Sequence, residues 1–288
     1  MRIRTAANEQ EIEQAAEVCW ANDPPSDASD KDGLLTHWLA TYASSPEGFW
    51  LAEDEPRQQI VGVASAVRRP PQWLLTNFFV LPTYHGQGVG QALLTQAFAT
   101  HEGCDRFTVH ASLHSSAQSL YLRFGMYPQP YSIYFKGIPQ NQSGSPSPVT
   151  AEEQPLSEII SVLNALDQEM LGFERVVDHE RWAKHGCYYL VKAGKGQVVG
   201  YFHVSPERSI GPVVVTDRQW MPAALALALR TQSELWPGEQ ELLVPGANTS
   251  TLAYLLSHGY RYRETEMLLS SHPMPGLAQV VFHDVDFL

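Results

Sequence analysis

Three glycines crowd into five positions, Gly86, Gly88 and Gly90, within "FFVLPTYHGQGVGQALLTQAFA" (residues 78–99). An apolar run precedes them and a second, helix-like run follows. Glycine loses more freedom on ordering than any other residue, so the cluster needs a reason. A strand, a glycine turn and a helix start leave the first N–H groups of the helix without intrahelical partners, and the helix dipole adds positive potential there. With no Cβ in the way an anion can approach the backbone, and phosphate is the natural ligand class. Neither common phosphate motif is complete. Gln91 stands where the dinucleotide fingerprint needs its third glycine, and no Gly-Lys-Ser/Thr ending follows. Taken alone, the glycines also fit a tight turn with no ligand.

The elements around this loop read as follows. In the first half the patterning predicts a strand at 2–6, a helix at 9–21, a helical segment near 33–43, and strands at 48–54, 58–68 and 73–80. A helix at 88–101, a strand at 106–111, a helix at 115–124 and strands around 127–136 complete it. The second half predicts helices near 155–171 and 178–185, strands at 187–192, 197–205 and 210–216, and a helix at 221–235. Strand 240–244, helix 248–258 and strand 260–270 follow. Alternating strands and helices give an α/β class, while the consecutive strands at 48–80 require antiparallel pairing, so the sheet is mixed.

The chain has 288 residues, 44% apolar and 17% charged, with a formal charge of −12. That length suits one large domain or two of ordinary size. The acidic balance argues against nucleic acid and anionic membrane as partners. No apolar run is long enough to span a bilayer, and the N-terminus lacks the apolar core of a signal peptide, so a cytoplasmic location is expected. Cys19, Cys104 and Cys187 are odd in number and widely spaced, which fits neither a disulfide framework nor a cysteine metal site.

Residues 139–155, "PQNQSGSPSPVTAEEQP", are polar and rich in proline and serine, and read as a linker between residues 1–138 and 156–288. The halves resemble each other. "FTVHASLHSSAQSLYLRFGMYPQPYSIYF" aligns without a gap on "ELLVPGANTSTLAYLLSHGYRYRETEMLL", pairing His114 with Asn248, Tyr121 with Leu255 and Gly125 with Gly259. We read a tandem duplication.

Two motifs carry a family resemblance. "VLPTYHGQGVGQALL" resembles the pyrophosphate-binding motif of the GNAT superfamily of acyl-CoA-dependent N-acyltransferases, with His85 at a position that family gives to Arg or Gln, and Gly88 and Gly90 matching. "LHSSAQSLYLRFGMYP" resembles the family's second motif through Ala117, Leu120, Tyr121 and Gly125, with His114 standing for an Asn and Met126 for a Phe. The resemblance implies two tandem GNAT-like domains, each a mixed, mostly antiparallel sheet flanked by helices, with acetyl-CoA as co-substrate and no metal. It further implies that the amides of Gln87, Gly88, Val89, Gly90 and Gln91, in a loop with His85 and Gly86, hold the CoA pyrophosphate. Phe79 and Val80 would bind the pantetheine arm through their backbones as an added strand does, and His114 would lie beside the cofactor.

Acyl transfer to an amine needs a neutral amine, a donor for the oxyanion and a proton for the departing thiolate. Tyr121 occupies the family's general-acid position, although an aromatic packing its own helix is the ordinary fate of such a residue. The base is less legible, because "IVGVASAVRRPPQWLLTNFFV" (60–80) contains no acid. His110 is the first candidate; His114, or a water ordered by Thr76 or Asn77, is the alternative. His110 and His114 lack a third ligand and do not read as a metal site.

The second half has "VVVTDRQWMPAALAL" where the first has its glycine loop, and Leu255 where the first has Tyr121. It reads as a structural or substrate-shaping domain without catalysis. In "GFERVVDHERW" (172–182), Asp178 is expected as a helix N-cap, with Glu174, Arg175, His179 and Glu180 on a solvated face. The tail "VVFHDVDFL" has strand-like character. The expected activity is acetyl transfer from acetyl-CoA to a primary amine of a small molecule or peptide, by a monomer or homodimer. The alternative is a CoA-binding regulatory or interaction module without activity.

Overall fold

The computed structural model describes residues 1–24, 28–139, 147–207 and 209–285. Residues 140–146 of the expected linker and Asp286 in the tail lie outside the described residues. The chain divides into two compact units, residues 1–109 and 110–288.

The first unit runs β1 (Arg2–Thr5), α1 (Glu9–Asn22), α2 (Ala28–Ser44), β2 (Phe49–Asp54), β3 (Gln59–Arg69), β4 (Gln72–Val80), α3 (Val89–Phe98) and β5 (Arg106–Ala111). β1 to β4 form an antiparallel meander, and β5 joins β4 in parallel. This is the mixed sheet that the consecutive strands demanded. β3 shows no polar alternation because α1 and α3 both pack on it, and residues 60–67 are buried without a break. Asn8 caps α1 by accepting from the Glu11 N–H at 3.1 Å. Arg4 pairs with Glu11 and Glu53, both at 2.8 Å, tying the helix start to β1 and β2. Ile12, Ala16, Trp38, Phe49, Leu51 and Val63 form the core beneath the two helices.

The second unit contains α4 (Ser115–Arg123), β6 (Tyr127–Pro128), β7 (Ser132–Gly137), β8 (Val149–Gln154), α5 (Leu156–Met170), α6 (Val176–Trp182), β9 (Cys187–Ala193), β10 (Gln197–Val204) and β11 (Ile210–Val215). α7 (Met221–Leu235), β12 (Gln240–Pro245), α8 (Thr249–Ser257), β13 (Arg261–Ser270) and β14 (Val280–Val281) complete it. β8 to β11 form an antiparallel sheet, with β14 on the outer edge of β11. β7, from the first half of the sequence, lies between β12 and β13, from the second.

Two expectations meet a different structure. The stretch expected as a linker ends in β8, whose residues pair with β9 from Val149↔Ala193 to Gln154↔Tyr188. It is an edge strand with Val149 alone of its six residues buried, so a polar sequence suffices. The helix expected at 178–185 begins two residues earlier. Arg175 is its N-cap, and Asp178 lies inside the first turn at 1% exposure.

The duplication is visible in geometry. α4 and α8 follow His114 and Asn248 at their N-caps. Gly125 and Gly259 leave the two helices with φ of 78° and 83°. Met126 N–H returns to Tyr121 C=O at 3.1 Å, and Tyr260 N–H returns to Leu255 C=O at 3.0 Å.

Candidate functional site

β4 ends at Val80, a short 3₁₀ turn covers Pro82–Tyr84, and α3 starts at Val89. Gly86 and Gly88 take φ of 74° and 81°, a region other residues adopt at a cost. Gly90 lies in the first helical turn, so two of the three glycines answer a backbone demand. Gly88 is the N-cap and supplies no side-chain cap, and no acid lies in the first turn. The first helical bond is Ala92 N–H to Gly88 C=O at 3.0 Å, which leaves the N–H groups of Val89, Gly90 and Gln91 ahead of the intrahelical ladder. Nothing lies within 4 Å of where a Cβ would stand on Gly86 or Gly88. The arrangement suits an anion.

Side chains brace the loop from behind. Gln87 Nε2 donates to Thr83 C=O at 2.9 Å. His85 Nε2 lies 2.8 Å from Val80 C=O, so that nitrogen carries the proton and donates. The buried Tyr84 donates its hydroxyl to Asp54 Oδ2 at 2.6 Å, and Arg57 joins both, at 2.8 Å to Asp54 and 2.9 Å to the Tyr84 oxygen. The Tyr84 and Arg57 bonds hold the Asp54 carboxyl below its ordinary range. Sequence reading missed this triad, because Tyr84 lies 27 residues from Arg57 and 30 from Asp54, with no local pattern to join them.

The period of the strand decides which groups of β4 face outward. Leu81 N–H donates to Val61 C=O at 2.8 Å, so the main-chain groups of Phe79, two residues back, also face β3. Those of Val80 face the opposite edge. Phe79 and Val80 therefore do not share one edge; Val80 is the residue placed to meet an added strand, and its carbonyl also accepts from Asn22 Nδ2 at 3.1 Å. A bulge between Ser65 and Ala66 lies farther back along the pair. There Ser65 Oγ meets Thr76 Oγ1 at 2.7 Å and Asn77 Nδ2 at 2.9 Å, so the residues named as water ligands first satisfy one another.

In the second unit, Tyr121 lies in α4 at 4% exposure. Burial pushes its phenol well up, and the Glu266 carboxylate adds to that, so it stays protonated at neutral pH. His110 is partly exposed by surface area, yet both ring nitrogens are engaged. Nδ1 lies 3.0 Å from Val285 C=O and Nε2 lies 2.8 Å from Ser132 Oγ. Burial pushes its pKa down to about 4. The ring is neutral, donating from Nδ1 and accepting from Ser132 at Nε2. An imidazole so committed has no lone pair turned to an amine. His114 is exposed, caps α4 only by its backbone position, and meets Ser116 Oγ at 2.9 Å.

The charged stretch 172–182 corrects an expectation. Arg175 and His179 are fully buried and Asp178 nearly so, where a solvated face was expected. Arg175 reaches Asp167 in α5 through Nε at 2.9 Å and Nη2 at 2.8 Å. His179 Nε2 meets the same carboxylate at 2.7 Å, its Nδ1 meets Tyr188 at 2.8 Å, and Tyr201 donates to Asp167 as well. Burial alone would raise Asp167; the Arg175 guanidinium and His179 outweigh it and hold the carboxyl at about 2. The network is charge-paired and closed off from solvent, the condition under which buried charge is tolerated. Among the described residues no group of three His, Cys, Asp or Glu is placed to hold a metal ion, and no helix is long and apolar enough to cross a membrane.

Residues 45–125 match the pattern of the acetyltransferase (GNAT) domain. No curated protein matches the chain in sequence. Solved structures share the fold. An inferred acetyltransferase from Pyrococcus horikoshii is 16% identical with a TM-score of 0.74, covering 99% of this chain and 92% of its own. A GCN5-related N-acetyltransferase from Sphaerobacter thermophilus is 16% identical with a TM-score of 0.61, covering 96% and 98%. A tandem GNAT protein from the clavulanic acid biosynthesis pathway is 15% identical with a TM-score of 0.56, covering 94% and 99%.

Proposed function

We propose that this chain, which has the tandem GNAT fold and carries a GNAT domain over residues 45–125, moves an acetyl group from acetyl-CoA to a primary amine of a small molecule or peptide. The observation that carries this reading is the start of α3: two left-handed glycines, no capping side chain, no acid in the first turn, and three leading amides at the end of the loop that leaves β4. The amides of Gln87–Gln91 would hold the pyrophosphate, and the outward edge of β4 at Val80 would take the pantetheine arm as an added strand. The catalytic copy spans residues 1–138, and the second copy, residues 156–288, does not catalyse.

In the reaction, the amine nitrogen attacks the thioester carbonyl, the C–S bond breaks, and the thiolate takes a proton from the Tyr121 hydroxyl. The ammonium form of the amine first loses one proton to solvent; the second, shed by the nitrogen once the C–N bond has formed, passes through water to the Tyr121 phenolate and restores its hydroxyl. An alkylamine near pKa ~10.4 costs ~4–5 kcal/mol to neutralise at pH 7. His110 does not help with this step, since both its nitrogens are committed and its pKa is low. Deprotonation through the exposed His114, or through ordered water, is the route that remains open to the chain.

That commitment of His110 favours a second reading, a CoA-binding module without turnover. One assay separates the two. Thiol release from acetyl-CoA is followed against a panel of primary amines and peptides, with acetylation of the product checked by mass. Turnover on any amine supports transfer; tight acetyl-CoA binding with no turnover across the panel supports the module.

A further inference from the structure

The chain builds the same pair of strands twice. In the first copy, β4 precedes the glycine loop and β5 precedes α4. In the second, β11 precedes α7 and β12 precedes α8. β4 and β5 pair in parallel from Gln72↔Arg106 to Leu75↔Val109, and that ladder ends while β4 runs on to Val80. β11 and β12 likewise touch at their starts, through a parallel bridge between Ser209 and Glu241. Farther along, neither continues with the other. Val213 and Val214 pair with Val281 and Val280 of β14, and Leu243 pairs with Phe282. The C-terminal segment is an extra antiparallel strand between two parted parallel strands.

Its seating is specific. Val215 N–H donates to Gln279 C=O at 3.0 Å, and Phe282 N–H donates to Leu243 C=O at 2.9 Å. Asn248, at the N-cap of α8, donates its amide to Val280 C=O at 2.8 Å. Ser209 Oγ donates to His283 C=O at 2.9 Å. Val280, Val281 and Phe282 are at most 1% exposed. Gly211 takes φ of 149°, and a Cβ there would stand 2.2 Å from the Phe282 carbonyl oxygen. Where the first copy has its glycine loop, the second has Trp220 at the N-cap and Pro222 in the first turn of α7.

We propose that residues 279–283 occupy in the second copy the slot that the acyl-CoA arm takes in the first, so that the C-terminal strand is a built-in substitute for the cofactor and closes that copy to it. An extended peptide and the pantetheine arm offer a sheet edge the same thing, a slim chain with amide donors and acceptors that adds as a strand. Here the substitute is covalently attached and brings apolar side chains into the core. The proposal takes the identity of the ligand from the proposed function; the structural part stands apart from it.

The test combines calorimetry and amide hydrogen exchange on the full chain with acetyl-CoA as probe. The expected result is one acetyl-CoA per chain, slowed exchange at Val80 on binding, and slow exchange at Val215 and Phe282 that acetyl-CoA leaves unchanged. In Gly211→Ala the intruding methyl should displace the tail. Exchange at Phe282 should then rise by ~10²-fold or more while acetyl-CoA affinity stays within about twofold. Two equivalents of acetyl-CoA per chain, or added protection at Val215 on binding, would overturn the proposal. So would fast exchange at Val215 and Phe282 in the intact chain, a measurement that holds even if Gly211→Ala fails to fold. A chain that binds no acetyl-CoA would sink the proposed function, and the exchange at Val215 and Phe282 would still decide whether the tail is a built-in strand.

Discussion

The Tyr84 hydroxyl donates to Asp54 Oδ2 at 2.6 Å, joining the turn before the glycine loop to the end of β2. The bond fixes where the loop begins. Tyr84→Phe keeps the buried ring and removes the bond, so the amides ahead of α3 lose part of their preorganisation. Acetyl-CoA affinity should fall ~3–10-fold with little change in melting temperature. Calorimetry with a parallel thermal melt checks it; unchanged affinity means the loop is held by its glycines and by the Gln87 and His85 bonds without Tyr84.

Gly88→Val places a branched side chain at φ 81°, on the face that leads the amides of α3. The backbone strain costs on the order of 1–3 kcal/mol. The side chain also enters the space the pyrophosphate would fill, so acetyl-CoA binding should weaken by at least ~10-fold, over 1.4 kcal/mol. A titration showing wild-type affinity would reduce the cluster to a turn.

Tyr121→Phe leaves the packed ring of α4 in place. If the hydroxyl protonates the thiolate, kcat should fall ~10²–10⁴-fold while acetyl-CoA affinity holds. The raised phenol pKa makes proton donation harder than for a free tyrosine, so part of that range depends on how the thiolate is stabilised. Steady-state kinetics decide it, and a change under about twofold removes Tyr121 from the reaction.

His110 titrates near 4 in the fold against ~6.5 in the unfolded chain. The unfolded state therefore binds more protons between those values, and stability falls as pH drops through that window. The contribution is fully present above about pH 6.5 and amounts to roughly 1–3 kcal/mol. Denaturant melts of the wild type and His110→Gln between pH 4 and 7 test this. The variant should show the shallower slope; parallel slopes would mean the imidazole does not titrate as placed.

Asp167→Asn removes the charge that Arg175 and His179 converge on. The guanidinium is then left buried without its counter-charge, a loss of about 3–5 kcal/mol. Equilibrium unfolding measures it. A change below 1 kcal/mol would require Asp178 or a tyrosine to take over the pairing.

Much of this was legible in the residues. The strand–glycine–helix order located the cradle, and hydrophobic period placed nearly every helix and strand. β8 was hidden because an edge strand can be as polar as a linker. The buried charges were hidden because Arg175 and His179 look solvated until Asp167 is seen. One signal existed: Asn164 and Asp167 fall on the face of α5 that also carries Leu163, Leu166 and Met170, all buried, so two polar residues sit in an apolar stripe. The engagement of His110 by Val285 spans 175 positions, and no local pattern encodes such a contact.

β7 is encoded before residue 139 yet completes the sheet of β12 and β13, encoded after 239. A gene-fission event at the junction would leave β12 and β13 with a gap one strand wide and two raw edges, each a template for aggregation. Shedding the second copy would strand β7 without either neighbour. Residues 132–137 and residues 240–270 are thus tied together by folding: whatever the two stretches do chemically, neither keeps its place in the sheet without the other.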